Sequence, residues 1–260
     1  MNKWFSPKEI YKKSPNFQLV KGDCLLMLKK IPSETISLII TDPPYFLSNN
    51  GTTCKSGKMV SVNKGEWDKK NSIQEVDEFN EEWLKECKRI LTKDGTIWVF
   101  GTSHNIFSIG YLLRKLGFKI LNNITWVKKS PPPNLSCRVF THSTELIIWS
   151  KKNEKSKQTF NYSLMKEVNG GKQMKDVWIF GRPLKNETRY GKHPTQKPED
   201  IIERLVKSSS NLNDIVLDLF CGSGTTGVVS VRNKRKFIGI DLEKEYLEIS
   251  KRRISDEIRD

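Results

Sequence analysis

The chain has 260 residues, which is enough for one large α/β domain or for one domain that carries an insertion. Hydrophobic residues make up 36% of it, which is typical of a folded globular protein and excludes a largely disordered one. Its 45 Lys and Arg against 30 Asp and Glu give a formal charge of +15, which favours a polyanionic partner, although a lysine-rich proteome explains the charge equally well.

Short apolar strands alternate with amphipathic helices along the first 150 residues, a pattern typical of a parallel sheet covered by helices. The polar segment 46–74 interrupts the alternation and is predicted to be a long mobile loop beside the first motif, of the kind that is usually functional or disordered. Strand 37–41 is important for function because it places Asp42 at its carboxyl end. The predicted strands are 17–22, 37–41, 96–100, 120–128 and 144–150, and the predicted helices are 25–30, 76–91 and 106–116.

The periodicity weakens between residues 151 and 192, which are rich in Lys, Asn, Gly and Gln. The α/β alternation then resumes to the end of the chain. We therefore expect a doubly wound α/β domain with a mostly parallel, seven-stranded sheet, in which 1–150 and 193–260 are two halves and 151–192 is an insertion. The predicted elements of the second half are helix 199–208, strand 215–219, a helix from Thr225, strand 236–240 and helix 243–254.

A glycine-rich turn follows strand 215–219, and its two glycines allow a ligand to approach the backbone closely. The helix behind the turn offers free N–H groups at its N-terminus. Asp241 ends the next strand and is suited to grip ribose hydroxyls. Gly227 completes a G-x-G-x-x-G spacing, so that this turn alone leaves a dinucleotide cofactor open. The residues of the turn are Phe220, Cys221, Gly222, Ser223, Gly224 and Thr225.

The segment Asp42, Pro43, Pro44, Tyr45 stands at the end of a buried strand, and its two prolines remove backbone donors. A carboxylate at Asp42 and the carbonyl of Pro43 could accept both hydrogens of an exocyclic amine and aim its lone pair at a methyl donor. The Tyr45 ring offers a face on which a flipped base can stack. The alternative is a rigid turn in which Asp42 and Tyr45 are incidental.

Together, these two motifs resemble those of the DNA amino-methyltransferases, and their order, with the catalytic motif first, resembles the permuted β group of that family. The resemblance implies a Rossmann-like methyltransferase fold, S-adenosylmethionine as cofactor, and a target-recognition region at 151–192. His193, Thr195 and Lys197, in the segment 193–198, resemble a further cofactor segment that holds the methionine end. Asp23 resembles the residue that contacts the donor's adenine. Asp42 is expected to contact the cofactor as well as to act in catalysis.

Three longer segments, 42–49, 134–145 and 171–178, resemble the GATC adenine methylases of DpnII-type restriction systems, and in particular their second, single-strand-tolerant methylase. The resemblance implies N6-adenine methylation of double-stranded DNA, with single-stranded DNA as a further substrate. The resemblance is also compatible with two protein partners, a second copy of the chain in a homodimer and a cognate restriction endonuclease. The five cysteines and three histidines show no metal-ligand spacing, and without an apolar N-terminal segment we expect a cytoplasmic protein that binds no membrane and no metal.

Other functions remain open at this stage. The same geometry serves N4 of cytosine, although Asp at the first motif position favours adenine in the family. RNA or protein amide methyltransferases usually place the cofactor motif first, and a catalytically silent DNA-recognition partner would not need two complete motifs. Trp126 either lies near the target base or belongs to the core, and Trp67 with Asp68 forms either a lid or a surface turn. Cys221 is expected to be a packing residue.

Overall fold

The computed structural model describes residues 4–46, 52–55, 58–61, 72–191 and 193–258. The strands in chain order are β1 (Ile10–Lys13), β2 (Phe17–Lys21), β3 (Ile36–Thr41), β4 (Thr52–Lys55), β5 (Lys58–Ser61), β6 (Leu91–Gly101), β7 (Lys119–Lys128), β8 (Thr144–Lys151), β9 (Val177–Phe180), β10 (Ile215–Asp218) and β11 (Lys236–Asp241). The helices are α1 (Cys24–Leu28), α2 (Ile73–Ile90), α3 (Ile106–Lys115), α4 (Tyr162–Val168), α5 (Glu199–Ser209), α6 (Thr225–Arg232) and α7 (Lys244–Asp256), with a 3₁₀ turn at Asn186–Thr188.

Within the described residues, the main sheet has nine strands in the order β1-β2-β11-β10-β3-β6-β8-β7-β9. The seven predicted strands form its centre, from β2 to β7, and the α/β class is confirmed. The number seven was too low, because the short strands β1 and β9 extend the sheet at its two edges. Pairing is parallel from β2 to β6, while β8 runs antiparallel to both β6 and β7.

Both faces of the sheet are buried under helices, as a doubly wound arrangement requires. Side chains of α1, α2 and α3 pack on one face, and those of α5, α6 and α7 pack on the other. Successive residues of β3 serve the two faces in turn: Ile39 packs under the first set of helices, while Leu38 and Ile40 pack under the second. The motifs therefore stand on strands that are held from both sides.

The predicted insertion 151–192 packs on the main sheet in this structure. Its strand β9 pairs in parallel with β7, and the buried Trp178 of β9 joins the core on the α5 side. The side-chain amide of Asn161 donates to the carbonyls of Lys207 and Ser210 and so ties the start of α4 to the end of α5. The segment is therefore joined to the main sheet through β9 and to α5 through Asn161.

The predicted loop 46–74 includes a small antiparallel ribbon, β4 with β5, whereas Trp67 and Asp68 lie outside the described residues. Helix α2 begins at Ile73, three residues earlier than its hydrophobic stripe indicates. The reason is a cap: the Ser72 hydroxyl accepts a hydrogen bond from the backbone N–H of Glu75 at 3.2 Å. In the described part of the chain, no helix has the length and apolar character needed to cross a membrane.

Candidate active site

The two sequence motifs meet at one edge of the sheet. β3 and β10 are adjacent and parallel, so the Asp42 turn after β3 and the glycine turn after β10 leave the sheet side by side. This is the edge at which open α/β sheets bind ligands. A cavity of about 330 Å³ opens between the two turns, and every residue predicted for the site lines it except Gly224.

The glycine turn needs glycine at two positions for conformational and packing reasons. Gly222 and Gly224 have φ values of 51° and 76°, which side chains rarely adopt. A Cβ on Gly224 would lie 2.8 Å from Ser250 of α7, and one on Gly222 would lie 3.3 Å from the His193 ring. Gly224 therefore permits the close packing of α7, which explains why it supports the cavity without lining it.

Gly227, which completed the dinucleotide spacing, is a packing residue. A Cβ at this position would lie 2.4 Å from Cδ1 of Ile254 and 2.6 Å from the Phe237 ring. Helix α6 can approach β11 and α7 this closely only because residue 227 has no side chain. The third glycine of the spacing therefore carries no information about the ligand.

Helix α7 holds the glycine turn through two side chains that the sequence patterns did not single out. The Ser250 hydroxyl donates to the carbonyl of Gly222 at 2.7 Å. The buried guanidinium of Arg253 donates to the Ser223 carbonyl at 2.9 Å and to the Thr225 hydroxyl at 3.0 Å, and it forms an ion pair with Glu199 at 2.7 Å. These contacts fix the turn in the shape that the cavity requires.

Two buried carboxyl groups lie behind the turn. Asp241 accepts the N–H of Gly222 at 2.7 Å and that of Glu243 at 2.8 Å, while Asp218 accepts the Thr226 hydroxyl at 2.7 Å. Burial raises the pKa of Asp241 to about 6 and that of Asp218 to about 7, and these hydrogen bonds only partly oppose the effect of burial. Both groups therefore change charge near neutral pH.

In the Asp42 turn, the carboxylate already has two donors. The Tyr45 hydroxyl donates to Oδ1 at 2.7 Å, and the Lys197 ammonium donates to Oδ2 at 2.5 Å. Burial raises the pKa of Tyr45 well above its ordinary value, and the charges of Asp42 and Glu145 add to the shift, so its hydroxyl keeps its proton. Each carboxylate oxygen has two lone pairs, which leaves Asp42 able to accept a further donor.

Lys197 links the Asp42 turn to Glu145, which the sequence did not single out. Its Nζ lies 3.4 Å from Oε2 of Glu145, and the other oxygen of Glu145 pairs with Lys128 at 2.9 Å. Burial lowers the pKa of Lys197, but the two carboxylates outweigh burial and raise it, so this side chain stays charged. Its ammonium is therefore committed to carboxylates of the protein, although the residue lines the predicted cofactor cavity.

The remaining predicted residues stand around the cavity wall. Asp23 caps α1 by accepting the N–H of Leu26 at 3.1 Å, and Thr195 bonds through its backbone N–H to Nδ1 of His193 at 3.3 Å. The His193 ring packs edge to face against Tyr246 of α7, with centroids 4.3 Å apart. Phe220 packs against Phe79 and Trp83 of α2 and forms an aromatic wall.

Trp126 and Cys221 belong to the core. Trp126 is 5% exposed and donates to the carbonyl of Phe180 at 3.3 Å, so its reading as a core tryptophan is confirmed. Burial raises the pKa of the Cys221 thiol well above its ordinary value, as do Asp218 and Asp241, which makes it a poor nucleophile and agrees with the packing role predicted for it.

The chain matches one protein family and several individual relatives. A family model described as DNA methylase matches residues 36–252. The chain is 55% identical over 246 residues to the Type II methyltransferase M2.LlaDCHI of Lactococcus lactis subsp. cremoris, which covers 94% of this chain and 91% of that protein. It is 53% identical over 240 residues to the Type II methyltransferase M2.DpnII of Streptococcus pneumoniae, with coverages of 92% and 90%. These relatives confirm the predicted resemblance to DpnII-type methylases.

Among solved structures, the chain is similar to a crystal structure of an M1.HpyAVI–SAM complex. The two share 27% sequence identity with a TM-score of 0.69, over 92% of this chain and 98% of that one.

Proposed function

Since this chain belongs to the DNA methylase family, whose model spans both motifs, we propose that it transfers a methyl group from S-adenosylmethionine to N6 of adenine in DNA. The observation that carries the proposal is the placement of the Asp42 turn and the glycine turn on adjacent parallel strands around one cavity. A methyl donor held by one turn would then lie beside an amine held by the other.

The cavity fits S-adenosylmethionine, which supplies an activated methyl group on a sulfonium when bound. We assign the ribose hydroxyls to Asp241, the donor's adenine to the side of Asp23 and Phe220, and the methionine end to the turn 221–225 with His193 and Thr195. Asp218, which also lines the cavity, would favour a bound cation when it is ionised. Lys197 was predicted with this set, but its pairing with Asp42 and Glu145 supports a role on the catalytic side of the cavity.

On the catalytic side, Asp42 and the Pro43 carbonyl would accept the two hydrogens of the target amine. The adenine amine is a weak nucleophile because its lone pair is delocalised into the ring, and these two acceptors favour a geometry that frees the lone pair. Pro44 keeps the turn rigid, and Tyr45 would stack on the extruded base. Positioning and electrostatic stabilisation then provide most of the catalysis, without a covalent enzyme intermediate.

The finer assignments are supported by the relatives and the fold. As in DpnII-type systems, we propose GATC as the target, a cognate endonuclease in the same system, action in the cytoplasm and tolerance of single-stranded DNA. We assign target recognition to residues 151–192, which the sheet holds rigidly beside the catalytic half (1–150) and the cofactor-binding half (193–260) through the β9–β7 pairing.

Expression of this protein alone in a methylation-deficient host tests the proposal. Long-read sequencing of the host DNA reports the modified base together with its sequence context. We expect N6-methyladenine within GATC. N4-methylcytosine would overturn the assignment of the base, another motif would overturn the target site, and unmodified DNA from a folded, cofactor-binding protein would contradict the enzymatic function.

A further inference from the structure

A row of alternating charges extends from the Asp42 turn into the protein. Lys197 lies between Asp42, at 2.5 Å, and Glu145, at 3.4 Å, and Lys128 closes the row at 2.9 Å from Glu145. The side chains of Lys197 and Glu145 are 9% and 12% exposed, whereas that of Lys128 is 28% exposed. Glu145 does not line the cavity, so it acts on a bound base without contacting it, through its charge and through its pairing with Lys197.

The sum of these charges matters for the reaction. Asp42 and Lys197 alone would form a neutral pair, which offers little attraction to the positive charge that develops on an amine as it accepts a methyl group. Glu145 brings a second negative charge to the other side of the ammonium, so that the three groups together carry a charge of −1. Lys128 stands at the more exposed end, where solvent weakens its influence.

Glu145 also determines where the ammonium lies. A lysine side chain is flexible and could move to solvent or into the cavity, where a cation would repel the sulfonium of the methyl donor. The second carboxylate keeps Lys197 buried behind Asp42. The ammonium lies 2.5 Å from Asp42 and 3.4 Å from Oε2 of Glu145, which accepts no hydrogen bond within the described residues, so the contact with Glu145 is an ion pair. Removing one charge of a buried ion pair is costly.

From this geometry we propose that Glu145 is a positioning residue for methyl transfer, which holds Lys197 between two carboxylates and so preserves the negative charge that Asp42 presents to the target amine. The inference rests on the proposed function, because it assigns Asp42 to the amine. It adds to that function a residue outside both motifs, at the start of β8.

The pH dependence offers a readout that a merely structural role would not move. The groups that face Lys197 are Asp42 and Tyr45 of the turn after β3, Glu145 of β8 and the Phe100 ring of β6. Burial lowers the pKa of Lys197 while the two carboxylates raise it. In Glu145→Gln one of these carboxylates is lost, so the pKa of Lys197 falls, and the alkaline limb, which is the part of the rate profile that follows the charge of Lys197, moves to lower pH.

The experiment measures single-turnover methylation of duplex DNA by the native protein, Glu145→Gln and Lys128→Gln. We expect Glu145→Gln to slow methyl transfer by about tenfold or more at saturating S-adenosylmethionine, which is the size of effect seen when a side chain that holds a functional group in place is lost. Lys128→Gln is the matched control, since it removes the other partner of Glu145 but leaves the negative charge in place. Its rate should stay within about twofold of native, as for other partly exposed ion pairs.

A double-mutant cycle tests whether Glu145 acts through Lys197. In a Lys197→Met background, Glu145→Gln should add little further loss. Glu145→Asp, which keeps the charge, should retain the native alkaline limb and provides the comparison if the Gln variant is poorly folded. The inference would be overturned if Glu145→Gln kept both the native rate and the native alkaline limb. It would also be overturned if Lys128→Gln lost as much activity as Glu145→Gln, or if the losses in the cycle were additive. A native protein that methylates no DNA would instead contradict the proposed function.

Discussion

The hydroxyl of Tyr45 donates a hydrogen bond to Oδ1 of Asp42 over 2.7 Å, so the residue proposed to stack on the target base also contacts the carboxylate proposed to bind its amine. The ring and the hydroxyl therefore have separable roles. The ring supplies the stacking face, and the hydroxyl occupies one position on the carboxylate that the amine would use.

Replacement of Tyr45 by Phe or Ala separates these roles. We expect Tyr45→Phe to keep most of the activity because the ring remains, and Tyr45→Ala to lose about 1–3 kcal/mol of transition-state stabilisation with the stacking face. The measurement is kcat/KM for duplex DNA. Equal losses in both variants would show that the hydroxyl, and not the ring, is the functional part.

Arg253 is predicted to control cofactor affinity from outside the cavity, because it anchors Ser223 and Thr225 of the glycine turn. Arg253→Met should weaken S-adenosylmethionine binding, and it also destabilises the fold, although Glu199 keeps its ion pair with Arg232 at 2.8 Å. Arg252→Gln is the matched control, because the neighbouring Arg252 pairs with Glu248 on the surface side of α7. Native cofactor affinity in a folded Arg253→Met protein, measured by calorimetry, would contradict this role.

Much of the site could be predicted because its residues carry local signals. Gly222, Gly224 and the prolines after Asp42 constrain the backbone wherever they stand, and the buried strands before them are readable from composition. Arg253 and Glu145 could not be found in this way, because a charged residue on a helix or strand acquires its meaning only from partners distant in sequence. The sequence also did not indicate the edge strands β1 and β9. Each has four residues, which is too few for an alternation of polar and apolar residues to identify a strand.

The start of α2 shows a signal that the sequence did contain. Ser72 and Glu75 have the spacing of a capping box, which marks a helix start independently of hydrophobic periodicity. The apolar stripe by itself predicted a start at Val76, three residues too late, because the first turn of the helix faces solvent and does not contribute to the stripe. Caps should therefore take precedence over periodicity when helix boundaries are assigned.

Cofactor binding should release protons near neutral pH. The pKa values of Asp241 and Asp218 are raised to about 6 and about 7, so both groups are partly protonated there before binding. Ribose hydroxyls and a sulfonium favour the ionised carboxylates, so binding lowers both pKa values, and affinity should rise as pH increases through this range.

Calorimetric titration with S-adenosylmethionine in two buffers of different protonation enthalpy measures this release. At about pH 6.5 the heats should differ between the buffers, and at about pH 9 they should agree because both groups are already ionised. Heats that do not depend on the buffer at the lower pH would mean that the cofactor does not contact these carboxylates.

Gly227→Ala is expected to destabilise the protein by about 1–3 kcal/mol, as overpacking of a filled core does. The new methyl group would collide with Ile254 and Phe237. Adding Ile254→Val, which removes the nearest atom, should recover part of the loss. Gly181→Ala is the control, because a Cβ there meets only the Lys129 side chain at 4.0 Å. Thermal unfolding measures all four proteins, and equal stability of Gly227→Ala and Gly181→Ala would refute the packing role.

The central claim is that Asp42 binds the amine that receives the methyl group, and Asp42→Ala tests it most directly. Single-turnover transfer of labelled methyl groups to duplex DNA should fall by about a hundredfold or more, the usual consequence of removing a group that stabilises the transition state. The same variant should remain folded and bind S-adenosylmethionine, since the contacts assigned to the glycine turn stay in place. Near-native transfer by a folded, cofactor-bound Asp42→Ala protein would contradict the account.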